Sequence, residues 1–106
     1  MCNHKILEHN EHGYVVKCEK CEHIQIAFGT TLASLSVKQF YEFMQIIKEY
    51  YDVYKEYEFP KEKIIRIPTI TQSIMLVYSV QELAVFIQLL ESAHIGLELE
   101  KLLKVN

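Results

Sequence analysis

Cys18 and Cys21 are the residues of this chain whose type and spacing most invite chemistry. Two thiolates separated by two residues on a tight turn suit a tetrahedral Zn²⁺, which takes about four N or S ligands in a structural site. Histidines crowd the same region, with His4, His9 and His12 upstream and His23 just beyond the pair. The N-terminal segment adds a third cysteine, Cys2. The expected ligand set is Cys18, Cys21, Cys2 and His4, holding a structural Zn(II) that pins the N-terminal segment. Against it stand a lone CxxC, the unusual second half Cys2-x-His4, and Glu22 where a zinc knuckle usually has glycine. Two other readings stay open. The cysteines sit unligated in a strand turn, or they carry thiol redox chemistry. The redox reading lacks the helix N-terminus that lowers a thiol pKa, and Glu19 and Glu22 would raise it.

The remaining reactive side chains point to packing more than to catalysis. His4, His9 and His12 are close enough in sequence to suggest a catalytic cluster, yet polar termini often carry histidines without a role. His94 falls on an apolar helix face, where a lone histidine reads as a packed residue near a helix end. Tyr41, Tyr50, Tyr51, Tyr54 and Tyr57 form an aromatic stripe, read as core and rim, with a protein contact as the functional alternative. No phosphate-binding glycine loop, nucleophile elbow or HExxH occurs. No catalytic or cofactor-binding residue is assigned.

These residues sit on elements that the pattern defines well. Residues 1–13 are polar and, left alone, would fray. Residues 14–17 are β-branched and strand-like, and Ile24, Ile26 and Phe28 share one strand face by the period of two. The CxxC thus lies in a tight connection between strands, and residues 32–35 suggest a third. Ser36 and Gln39 form a capping box ahead of Val37, Phe40, Met44, Ile47, Tyr51 and Tyr54, spaced three and four apart. The helix is expected to end before Pro60.

Residues 63–67 and 74–78 read as further strands, Pro68 confining the first to an edge or end. Ser79 and Glu82 then form a second capping box before Val80, Leu83, Ile87, Leu90, His94 and Leu97. The helices match at a constant offset of 43 residues: Ser36 with Ser79, Phe43 with Phe86, Gln45 with Gln88. The pattern predicts an α+β fold of duplicated ββα units in one domain, residues 1–106. A polar N-terminal segment (1–13) precedes a first unit (14–59) and a second (63–106). All strands are expected in one mainly antiparallel sheet with both amphipathic helices on one face. Ile74, Leu76 and Tyr78 would face the helices, or lie one register away, while Met75 and Val77 point away and need a cover from the N-terminal segment, the C-terminal tail or a second copy. Gly96 is expected to break or end the second helix, leaving residues 97–105 as a short apolar helix suited to dimer contact.

Composition narrows the function classes. At 106 residues, half of them apolar, the chain can bury a core without a metal or disulfides. Its net charge of −3, with acids and bases mixed, disfavours a nucleic-acid partner. The longest wholly apolar run is far too short to span a membrane. An odd cysteine count without an apolar leader suggests a reducing, cytoplasmic setting.

The run GYVVKCEKCEHIQIAFGTTLASLS resembles a small bacterial family of unknown function. The shared pattern is a Gly-aromatic start (Gly13, Tyr14), the pair Cys18 and Cys21, a strand with Ile24, Gln25, Phe28 and Gly29, and the helix cap Ser36. That resemblance implies no activity. The sequence reads as a non-enzymatic binding or adaptor domain, a homodimer with a further unidentified protein partner. The alternative is a small thiol-redox or other enzyme using Cys18, Cys21 and a nearby histidine.

Overall fold

The computed structural model describes residues 4–103. The elements run β1 (His4–Asn10), β2 (Gly13–Cys18), β3 (His23–Phe28), β4 (Thr31–Ser36), α1 (Val37–Tyr54), β5 (Ile65–Pro68), β6 (Met75–Tyr78) and α2 (Val80–Leu103). The fold is α+β, as the periodicities predict.

β1 to β4 form an antiparallel meander. Alternation along it places Val15, Ile24, Ile26 and Phe28 in the core. Helix α2 packs over β1 and β2, α1 packs over β3 and β4, and the helices touch each other. Gly13 lies so close to β3 that a Cβ there would sit 1.9 Å from the Ala27 carbonyl oxygen. Only glycine fits that register.

The N-terminal segment is a correction. From His4 it forms β1, an edge strand paired with β2, where the sequence reading placed no strand. The Asn10 carboxamide closes the β1–β2 hairpin by accepting from the backbone N–H groups of His12 (2.8 Å) and Gly13 (3.1 Å). A bulge between Ile6 and Glu8 leaves Leu7 out of register and packed on the core. Gly96 is the second correction. It faces β1, where a Cβ would lie in ordinary contact with Leu7, 3.5 Å from its carbonyl oxygen. The helix passes through it to Leu103. Glycine inside a helix costs about 1 kcal/mol relative to alanine, a loss that packing against β1 can offset.

Both capping boxes form as the sequence predicts. The Ser36 hydroxyl accepts from the Gln39 N–H at 3.1 Å, and the Gln39 side chain accepts from the Ser36 N–H at 3.0 Å. Ser79 and Glu82 repeat this at 3.1 and 2.9 Å. Burial opposes ionisation of Glu82, but Lys63 (2.7 Å) and the bonds to Ser79 outweigh it and hold the carboxyl below its usual range.

The strands do not join one sheet. β5 and β6 form a separate two-stranded sheet. Its inward residues Ile65, Ile67 and Tyr78 enter the core beside the helices, and Leu76 is half-buried. Phe86 of α2 sits where the layers meet. It stacks on Phe28 at 4.2 Å and meets Phe43 and Tyr78 at 5.7 and 5.8 Å. The hairpin is therefore seated by side chains, with no backbone ladder to β4. Ile74 lies exposed ahead of β6, outside the inward set expected for it. Met75 and Val77 point outward, as expected. Two β-β-α runs with matched caps remain, but they share no sheet, and α2 has 24 residues against 18 in α1.

Candidate functional site

The cysteine pair occupies the β2–β3 turn. Cys18 ends β2 and is buried, whereas Cys21 is exposed. The Cys18 Sγ accepts from the Cys21 N–H at 3.5 Å, and the Cys18 carbonyl accepts from the Glu22 N–H at 3.1 Å. Glu22 adopts φ 56°, the left-handed conformation that glycine usually supplies after a zinc knuckle. Its side chain makes that backbone cost on the order of 1–3 kcal/mol. His4 is the cross-strand partner of Cys18, so both side chains leave the sheet on one face.

Cys18 is disulfide-bonded. The third cysteine, Cys2, lies outside the described residues. Among the described residues, no group of three His, Cys, Asp or Glu side chains is placed to hold a metal. His23 stays local, its Nδ1 lying 3.2 Å from the Cys21 carbonyl. His9 and His12 belong to the far end of the β1–β2 hairpin, where the His12 ring meets Phe28 at 6.4 Å. The topology therefore groups His4 and His23 with the cysteines and separates the other two.

His94 is half-buried, and the continuous helix places it away from a helix end. Its ring meets the edge of Tyr41 at 5.1 Å, and its Nε2 lies 3.3 Å from Glu98. The Tyr41 hydroxyl donates to Glu98 at 3.0 Å and, with Lys101, keeps that carboxyl below its usual range. This is a surface network tying α1 to α2. Tyr50, Tyr51 and Tyr54 pack as rim against the core, while Tyr57 is exposed.

The most apolar concavity is one that reading by residue chemistry missed. A cleft of about 710 Å³ runs between β4 and the β5–β6 hairpin. One wall is residues 31–35, the other is residues 67–70 with Leu76, and Phe43 and Ile46 come from α1. None of the lining side chains is ionisable. Two local signals pointed to it. Residues 31–36 form a strand without charge or proline, and Ile70 is a large apolar residue in a turn, fully exposed.

The chain belongs to the family of unknown function DUF6686, whose model matches residues 1–106. No curated protein and no solved structure matches it.

Proposed function

We propose that this domain binds a protein partner through the β4–hairpin cleft and performs no reaction of its own. The carrying observation is the cleft's lining, which contains no acid, base or thiol. Its polar side chains are the hydroxyls of Thr31, Ser34 and Thr69, and no base lines the cleft with them to activate one. The Thr69 hydroxyl is already committed to the Ile74 carbonyl at 2.7 Å. An apolar surface of this kind on an otherwise charged domain suits association. A photo-crosslinking residue placed at Ile70 should give a discrete protein adduct in the native host. The adduct should vanish in an Ile46→Glu background and be absent from a control at Val53 on α1. Equal labelling at both positions, or none at Ile70, would sink the proposal.

A second copy is assigned to the end of α2. Ile95, Leu99 and Leu102 are exposed there at helical spacing, on the side away from buried Leu97. An exposed apolar stripe of this kind calls for cover. The proposed homodimer pairs these stripes across a twofold axis. Sedimentation should show a dimer that Leu99→Lys converts to monomer without lowering Tm. A wild-type chain that stays monomeric at high concentration rules this out.

For the reduced chain, Cys18, Cys21, Cys2 and His4 remain the proposed ligands of a structural Zn(II). The N–H···S bond, the left-handed Glu22 and the placement of His4 opposite Cys18 support it. A disulfide sulfur is a poor zinc ligand, so metal and the Cys18 disulfide exclude each other. Elemental analysis of protein purified under reducing conditions should find about one zinc per chain. No zinc, with Cys18 and Cys21 alkylating as ordinary thiols, removes the proposal. The redox alternative gains no support from a hairpin turn, which offers no helix N-terminus to the thiols.

A further inference from the structure

We infer that the cleft takes a single extended strand of another polypeptide, which adds to the outer edge of β4. The inference rests on the binding reading above and names how the partner is held. It begins with an asymmetry between the sheet's edges. β1, at one edge, carries Lys5 and Glu8 and is interrupted by a bulge. β5 in the smaller sheet carries Arg66 and Pro68. Those devices are the ones that keep a strand edge from pairing with foreign chains. β4 reads TLASLS, with no charge, no proline and an unbroken register against β3. Among the described residues, its other side pairs with no strand. An edge left open in this way presents a row of backbone donors and acceptors to whatever lies in the cleft.

The cleft's shape selects a strand over a larger body. The hairpin wall stands opposite β4, so a whole sheet cannot approach the edge side-on, whereas one extended chain fits between the walls. Five consecutive residues, 31–35, line the cleft. At roughly 3.4 Å per residue this edge matches an extended segment of about 17 Å. At the Thr31 end the cleft adjoins a second pocket, lined by Thr31 and Leu76 together with Lys63, Tyr78 and Glu82.

Lining chemistry sets the partner's sequence. Phe43 and Ile46 meet the inward side chains of an added strand, while its outward ones pass beside exposed Leu32. Successive strand residues alternate between these faces. A charged residue on the inward face would lose water and find no counter-ion. The partner segment is thus uncharged over its length and apolar at alternate positions, held by main-chain bonds in the manner of strand addition.

The probe is a phage-displayed library of linear peptides, panned on the full-length chain, with the best binder then synthesised. Enriched peptides should alternate apolar and uncharged residues, and the bound peptide should slow amide exchange at residues 31–35. Leu32→Lys and Ser34→Lys, both at exposed positions, should each weaken binding by about tenfold, or about 1.4 kcal/mol, without lowering Tm. No enrichment, binding insensitive to both variants, or protection confined to other segments overturns the inference. If the Ile70 crosslink forms while the β4 amides stay unprotected, the binding reading survives and strand addition falls. Self-association that Leu32→Lys abolishes would make the occupant a second copy and likewise overturn the assignment.

Discussion

Phe86→Ala is expected to lower the unfolding free energy by about 3–5 kcal/mol. The ring is 1% exposed, and it is stacked on Phe28 with an interplanar angle of 2°. Its removal takes away apolar burial and leaves a void bounded by Phe28, Phe43 and Tyr78. Those neighbours come from β3, α1 and β6, so the void cannot close by a shift of one element. A domain of this size has a total stability of only about 5–15 kcal/mol, so the variant should be marginal at 25 °C. Urea unfolding followed by circular dichroism measures the loss. A change below about 1 kcal/mol would show that the site repacks.

The same substitution has a local consequence. Since β5 and β6 have no ladder to β4, side chains around Phe86 are what seat them. Amides of residues 65–78 should therefore exchange at lower opening free energy than those of β2 and β3, as expected for a separately opening unit. Phe86→Leu, which keeps much of the volume, should restore part of the protection.

What the sequence made legible was local. Both capping boxes span three residues, and the alternation of Ile24, Ile26 and Phe28 is contained in one strand. Such signals need no knowledge of the remainder of the chain. β1 was missed because HKILEHN carries little apolar pattern, and a bulge shifts the one residue that packs. Gly96 was misread for a related reason. Its local signal is helix breaking, yet the helix runs on through it, packed beside Leu7 from far away in sequence. The separation of the sheets was invisible because Ile65, Ile67 and Tyr78 satisfy either a shared sheet or a seated hairpin equally well. At the cysteines, type and spacing were plain. The missing glycine argued against a knuckle, yet Glu22 adopts the glycine-like conformation all the same. The apolar cleft escaped attention because edge strands bear no catalytic residue, and its evidence is the absence of charge.

Glu100→Gln is the second change expected to have a large effect, at about 3–5 kcal/mol of lost stability. Glu100, nine-tenths or more buried on α2, accepts from the Lys17 ammonium of β2, which is buried as well. Lys5 of β1 reaches its other carboxylate oxygen at 3.4 Å. Glutamine keeps the shape and one acceptor but leaves Lys17 charged in a site with little water. That uncompensated charge, more than the lost attraction, sets the size of the effect. Replacing both partners by apolar residues, Lys17→Met with Glu100→Leu, should then be close to neutral, because no buried charge remains. Lys17→Met alone should cost less than Glu100→Gln, since Lys5 still faces the carboxylate and is half-exposed. A double-mutant cycle by urea unfolding separates these terms. A double variant as unstable as Glu100→Gln would show that the loss comes from packing and not from charge. The pair also lies beyond Gly96, where it ties the last turns of α2 to β1 and β2. Those turns carry Leu99 and Leu102 of the proposed dimer stripe, so Glu100→Gln should weaken self-association along with stability. The apolar double variant, which keeps the helix docked, should retain the dimer.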